Sequence, residues 1–173
     1  MTKLPEISFV IPAKNEEKSL AILAGEISSV CQKIKKTYEI IFIDDGSTDS
    51  TFATIKRLAK ENKNIKGYRL RGWFGKSVAL SVGFTQTKGR IIFTMDADLQ
   101  DDPKEILNFL KKLGEGYDLV SGWKKKRKDP ITKTLPSRIV NFAVRTLTAV
   151  KIHDVNCGFK AYRKEVVKDL NIY

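Results

Sequence analysis

Histidine and cysteine are scarce in this 173-residue chain, which has one of the former and two of the latter. The lone histidine, His153, stands beside Asp154, but adjacent residues in an extended segment point to opposite sides, which argues against a catalytic dyad. Cys31 and Cys157 are far apart and lack metal-ligand spacing, so reduced thiols in a cytosol are the simplest account. Cys31 falls beside a helical apolar stripe and reads as core; neither thiol reads as a nucleophile. Long apolar runs are missing too: no window approaches the roughly 18 residues needed to cross a bilayer. The opening MTKLPEISFVIP has no apolar leader region or small-residue cleavage site, so secretion is not expected. Internal repeats and low-complexity segments are absent.

Acidic residues are in deficit. Thirty-two Lys and Arg face 20 Asp and Glu, a net charge of +12, and such an excess points to an anionic partner: nucleic acid, acidic lipid or a phosphorylated substrate. The basic charge is densest at 124–128, after an expected strand and before Pro130, which reads as an exposed loop. The length suits one α/β domain with a proper core, and the composition, 42% hydrophobic and 30% charged, is ordinary for a globular protein.

The apolar pattern alternates between strand and helix. Residues 7–11 form a near-continuous apolar run ending at Pro12, as a strand buried on both faces would. Leu20, Leu23, Ile27, Val30 and Ile34 then recur at helical spacing over about five turns. Strands are expected at 38–43, 65–70, 91–94 and 118–121. Between them lie helices marked by Phe52, Ile55 and Leu58, by Val78, Leu80, Val82 and Phe84, and by Ile106, Leu107 and Leu110. A further amphipathic helix is expected at 135–150. Strand–helix alternation with connections long enough for crossovers argues an open, mostly parallel sheet with helices on both faces. Ligands of such sheets gather at the strands' carboxyl ends.

Chemistry-bearing residues fall at those ends. The stretch RIIFTMDADLQDDP, 90–103, is a short strand running into an Asp-x-Asp pair. In an extended backbone Asp96, Asp98 and Gln100 would project to one side. Hard cations such as Mg2+ or Mn2+ favour oxygen ligands and are commonly held by one or two carboxylates together with substrate phosphates. Asp102 before Pro103 suits a helix N-cap, a role for which Asp96 and Asp98 come too early. After the second strand come Asp44-Asp45-Gly46-Ser47-Thr48-Asp49; Asp49 or Ser47 suits the cap of the next helix, which leaves Asp44 and Asp45 unexplained by capping. Gly75-Lys76-Ser77 lacks Walker spacing, yet a Gly-Lys at a helix start can meet a phosphate through backbone N–H groups and one ammonium. Asp45, Asp96, Asp98 and Lys124 would share one rim.

Four motifs in fixed order, VIPAKNE, DDGSTDST, DADLQDDP and HDVNCGFKAYR, resemble those of the inverting family-two glycosyltransferases. Within that family they look like the polyprenyl-phosphate sugar transferases related to dolichol-phosphate mannose synthase and bactoprenol glucosyltransferases. The resemblance covers essentially the whole chain and implies a GT-A fold, a Rossmann-like α/β architecture, over a single catalytic domain, 1–173. It implies Pro12, Ala13 and Glu16 at the base and ribose, Asp45 reaching the base with Asp44 beside it, and Asp96 at the nucleotide and metal. Asp98 and Gln100 would ligate the Mg2+ or Mn2+. Lys124, where relatives often have Arg, and Lys133 with Ser137 would approach the acceptor phosphate. Asn156 and Cys157 would lie near the sugar and acceptor, with Cys157 standing where some relatives carry Ser. Asp154 is an orienting or catalytic carboxylate candidate.

The activity so implied moves a hexose from a UDP- or GDP-linked donor to a polyprenyl phosphate, dolichyl or undecaprenyl, with inversion and a divalent metal. It would take place at the cytoplasmic face of a membrane, the domain lying peripherally against anionic lipid. A homo-oligomer is compatible with the sequence. The chain stops at Asn171-Ile172-Tyr173 within what reads as a continuing element, and relatives commonly extend into basic or membrane-associated segments, so a truncated carboxyl end is expected. The QxxRW signature of processive polysaccharide synthases is missing, which disfavours polymer synthesis. Three other classes compete. A receiver-type phosphoacceptor domain does not predict DxDxQ. A nucleic-acid module would leave Asp44, Asp45, Asp96 and Asp98 facing a polyanion, so nucleic acid is not an expected partner. A nucleotidyltransferase would release pyrophosphate rather than a nucleoside diphosphate.

Overall fold

Strands with no polar face become the centre of the sheet. In the computed structural model, which describes residues 4–123 and 157–168, β1 (Ile7–Ala13) is buried except at half-buried Pro12, and β2 (Tyr38–Asp44) is buried throughout. Burial on both faces is what a central parallel strand requires. β1 pairs in parallel with β2 and with β4 (Ile91–Thr94), and β2 with β3 (Ile65–Arg69). β1 does not stop at Pro12: it runs on to Ala13, whose carbonyl accepts the Asp45 N–H at 2.9 Å.

Among the described residues five helices cover the sheet: α1 (Leu20–Lys33), α2 (Thr51–Glu61), α3 (Lys76–Thr85), α4 (Ile106–Gly114) and the short α5 (Lys164–Val167). The larger core lies under α1, α2 and α4, where Phe9, Phe42 and Phe93 meet Leu23, Ile55 and Phe109. The alternate residues Val10, Ile41 and Ile43 face the other way, towards α3 and α5. α3 buries Ala79 and Gly83 rather than the larger residues that mark it in the sequence. A methyl on Gly83 would run into the side chain of Val10, so this helix sits close to the sheet. Cys31 is fully buried in the larger core, and burial pushes its thiol up to about 12, which removes it as a nucleophile at neutral pH. α1 has 14 residues, about four turns rather than five.

The sheet is mixed, in the order β3-β2-β1-β4-β6-β5. β5 (Leu119–Ser121) and β4 flank β6 (Lys160–Arg163), which is antiparallel to both. β6 falls within the motif HDVNCGFKAYR, 153–163, for which no strand is expected from the sequence. Phe159 and Ala161 are buried, while Lys160 and Tyr162 are half-buried, a two-residue alternation too short to stand out. The expected helix at 135–150, the basic run 124–128, and Lys124, Lys133, Ser137, His153, Asp154 and Asn156 lie outside the described residues.

At the amino end of the sheet, Glu39 is 3% exposed and fully engaged. It accepts Ser8 Oγ at 2.7 Å, the Lys88 N–H at 2.7 Å and Lys66 Nζ at 2.6 Å. Burial pushes its carboxyl up, but the Lys66, Ser8 and Lys88 hydrogen bonds outweigh that and hold it below the ordinary carboxylate value.

Candidate active site at the carboxyl rim of the sheet

The loops after β1 and β2 are interlocked by side chains capping each other's backbone. Asn15 N–H donates to Ser47 Oγ at 3.0 Å, and Thr48 N–H returns to Asn15 Oδ1 at 2.9 Å. Glu16 N–H donates to Thr51 Oγ1 at 2.7 Å, and Ser50 N–H to a Glu17 carboxylate oxygen at 3.0 Å. Asn15 holds a left-handed backbone, φ 57°, which asparagine tolerates better than most residues. Much of the VIPAKNE and DDGSTDST pattern therefore serves to fix these loops. Glu16 keeps its own carboxylate on Ser19 Oγ at 2.8 Å. The N-cap of α2 is Ser50 rather than the expected Asp49 or Ser47; Asp49, one residue earlier, accepts the Thr51 N–H at 2.9 Å.

Asp44 and Asp45 are 0% and 4% exposed. Asp44 Oδ1 accepts the Ser47 N–H at 3.0 Å and closes the turn through Gly46. Arg69 Nε lies 3.1 Å from Asp44 Oδ2, but that oxygen has no hydrogen bond of good geometry, so the contact is an ion pair only. Arg69, at the end of β3, is a partner that the sequence reading missed. Asp45 reaches further. Its two oxygens accept the N–H groups of Phe74 and Gly75 at 2.8 and 3.0 Å, pinning the turn that leads into α3. Those two amides are thereby engaged by the protein itself rather than held open for a phosphate. Gly46, φ 69°, lies under this turn, and a side chain there would meet the backbone of Gly72 and Trp73. Trp73 is 73% exposed on the rim, with Lys14 Nζ 3.9 Å from its ring centroid.

β4 ends at Thr94, and the backbone does not stay extended through Gln100. A turn forms at Ala97 and Asp98, and Leu99 is left-handed at φ 61°. The two-residue alternation expected to aim Asp96, Asp98 and Gln100 together therefore does not apply. An Asx turn replaces it, in which Asp98 Oδ1 accepts the Gln100 N–H at 3.1 Å. Leu99 and Gln100 instead line a groove of about 590 Å3 against Ile22 and Gly25 of α1. Further on, Asp102 Oδ1 accepts the Lys104 N–H at 2.9 Å, the expected cap, opening a 3-10 turn (Pro103–Glu105) that leads into α4.

Asp96 carries the cross-strand contacts. Its carboxylate forms an ion pair with Lys76, the first residue of α3. It also lies against Gly158, where a methyl group would overlap it. Gly158 is held in turn by its carbonyl, which accepts Thr94 Oγ1 at 2.8 Å. The structure thus brings Lys76 and Asp96 together and sets Asp44, Asp45 and Asp98 on the same rim. β2 and β4 are two strands apart, on the order of 10 Å. Among the described residues no group of three or more His, Cys, Asp and Glu side chains is placed to hold a metal. A cation bound by one or two carboxylates and a diphosphate does not need such a group. Asp96 already carries a cationic group, and Asp98 is exposed two residues away, so the donor set suits a hard divalent ion.

A mixed, mostly parallel sheet flanked by helices is the GT-A fold, and solved structures share it. Glucosyl-3-phosphoglycerate synthase from Mycobacterium tuberculosis, in complex with Mn2+, UDP-glucose and glycerol 3-phosphate, superposes with a TM-score of 0.74 at 25% identity, over 96% of this chain and 59% of that one. A mannosyltransferase from Pyrobaculum calidifontis, in complex with GDP-Man and Mn2+, shares the fold at a TM-score of 0.72 and 21% identity, over 99% and 48% of the two chains.

The chain belongs to Glycosyl transferase family 2, whose model matches residues 8–170. Curated relatives include the dodecaprenyl-phosphate galacturonate synthase of Rhizobium johnstonii, 35% identical over 96% of this chain and 50% of the relative. The undecaprenyl-phosphate 4-deoxy-4-formamido-L-arabinose transferase of Shewanella sediminis is 38% identical over 94% of this chain and 49% of the relative. The chain therefore spans about half the length of the curated relatives it matches.

Proposed function

We propose that this domain binds the donor in a metal-dependent, inverting transfer of a sugar from a nucleoside diphosphate to a polyprenyl phosphate. The observation that carries this reading is the convergence of Asp44, Asp45, Lys76, Asp96 and Asp98, from two strand ends and one helix start, on a single rim. The polyprenyl-phosphate substrates in the relatives' names support the acceptor class. Those names include a uronate and a formamido-pentose, so the hexose expected from the sequence is one member of a wider donor class.

A phosphate oxygen of the acceptor attacks the anomeric carbon from the face opposite the leaving group. The new C–O bond forms as the bond to the diphosphate breaks, and the electron pair leaves on the diphosphate oxygen. The products are an inverted sugar phosphopolyprenol and a nucleoside diphosphate. A phosphate monoester has a second pKa of about 6, so the nucleophile is largely deprotonated near neutrality and a strong general base is unnecessary. Asp96 and Asp98 would hold a divalent ion, Mg2+ or Mn2+, whose charge would offset that growing on the leaving diphosphate. Lys76 adds an ammonium on the same side, and the pinned turn at Phe74 and Gly75 fixes where it starts. Lys124 and Lys133 would hold the acceptor phosphate. A cytoplasmic membrane surface follows from the acceptor class, and no helix among the described residues is long and apolar enough to cross a membrane.

A thermal-shift panel of UDP, GDP and their sugars with Mn2+, followed by product analysis with a short polyprenyl phosphate, tests this. Stabilisation by one nucleoside diphosphate is expected, about 2.7 kcal/mol at a hundred times its Kd, together with its release on transfer. Release of pyrophosphate, or no response to any nucleoside diphosphate, would overturn it.

A further inference from the structure

The rim holds a cation of its own. Lys76 Nζ is ion-paired with Asp96, and both side chains are open to solvent, at 48% and 28% exposure. Asp96 is walled on another side by Gly158. The root of Lys76 is fixed, because Asp45 holds the N–H groups of Phe74 and Gly75 immediately before it. Its four-carbon stem is flexible, and an exposed ion pair of this kind is weak enough to exchange. Asp98, the neighbouring carboxylate, is exposed and takes only a backbone N–H among the hydrogen bonds described for it.

We propose that Lys76 is an internal counter-ion that occupies Asp96 in place of a divalent cation and passes to the donor diphosphate when that arrives, so that metal binding is coupled to donor binding. This rests on the glycosyltransferase reading of the rim. A divalent ion approaching Asp96 without a nucleotide must displace the ammonium or sit beside it, and either lowers its affinity. A nucleoside diphosphate brings negative charge that attracts both cations, letting Lys76 leave the carboxylate for the diphosphate. Coupling is reciprocal: the factor by which the diphosphate tightens the metal is the factor by which the metal tightens the diphosphate. Lys76 is then a positioning residue with respect to the metal.

Free Mn2+ measured by electron paramagnetic resonance reads this directly, without turnover. The 173-residue chain is titrated as wild type, Lys76→Gln, Lys76→Arg and Lys14→Gln, with and without UDP or GDP. Lys14 is the charge control, since its ammonium lies over Trp73 rather than on an acid. Without nucleotide, Lys76→Gln is expected to bind Mn2+ at least about fivefold more tightly than wild type, the low end of ordinary coupling factors. Lys76→Arg and Lys14→Gln should stay within about twofold of wild type on the same scale. Added diphosphate should tighten Mn2+ markedly in wild type and much less in Lys76→Gln. Equal Mn2+ affinity in wild type and Lys76→Gln, at unchanged melting temperature, overturns the counter-ion role; so does an equal gain in Lys14→Gln, which would be a general charge effect. If UDP and GDP change nothing in any variant, the donor reading falls and the coupling with it, whereas a tighter Lys76→Gln in the nucleotide-free arm still establishes the counter-ion.

Discussion

Two lysine–carboxylate pairs lie at opposite ends of the sheet, with opposite consequences. At the amino end, Glu39 is buried and takes Ser8, Lys66 and the Lys88 amide together. At the carboxyl end, Asp96 is open to solvent with Lys76 on it and Gly158 behind it. The chemical groups are the same; the solvent is not. A buried, fully hydrogen-bonded carboxylate cannot lose a partner without leaving a charge unsatisfied, so it holds structure. An exposed pair gains little from its contact and can trade it for a better one. Proximity of opposite charges alone does not separate a structural pair from a functional one, whereas burial and the number of partners do.

That contrast can be broken by substitution. The largest effect is expected at the rim: Asp96→Asn or Asp98→Ala should lower sugar transfer, followed by nucleoside diphosphate release, by about a hundredfold or more. The melting temperature should barely move. At the other end Glu39→Ala should do the reverse, costing about 2 kcal/mol in urea unfolding while leaving donor affinity within error; the half-exposed Lys66 keeps the cost below that of a fully buried pair. Gly158→Ala sharpens the comparison, because the added methyl displaces the Asp96 carboxylate. We expect Mn2+-dependent binding of the nucleoside diphosphate to weaken by about tenfold, roughly 1.4 kcal/mol, read by calorimetry.

The smallest effect is in pH. The folded-state pKa of Glu39 is depressed below its ordinary 4.5, so its contribution is present above that value and is lost as pH falls through the lower folded value. The stability gap between wild type and Glu39→Gln should therefore narrow as the pH drops below 4.5, measured by urea unfolding from neutral pH downwards. A gap that stays constant would mean that Glu39 is not ionised in the fold.

The order of elements from β1 to β5 was legible in the sequence, because hydrophobic periodicity is a local property. Residues 91–94 matched β4 to the residue, and Asp102 caps where its place before Pro103 suggests. The direction and place of β6 were not legible. Four residues of weak alternation carry no sign that they will enter between β4 and β5. The site divides the same way. Acids at the strand ends were visible as turn-rich Asp clusters, but their tasks were not. Asp45 holds amides 29 and 30 residues away, and Asp96 meets a lysine 20 residues away. The spacing of Asp96, Asp98 and Gln100 was misread because the strand ends at Thr94 and Leu99 turns left-handed.

The sequence by itself determined which residues carry oxygen and ammonium groups, the strand ends on which they fall, and the family to which the chain belongs. Only the tertiary structure decided which acids are buried and also hold loops, Asp44 and Asp45, and which are more open to solvent, Asp96 and Asp98. The reason is physical: residue type and local period are written along the chain, whereas burial and pairing arise when strand crossovers bring distant segments to one rim.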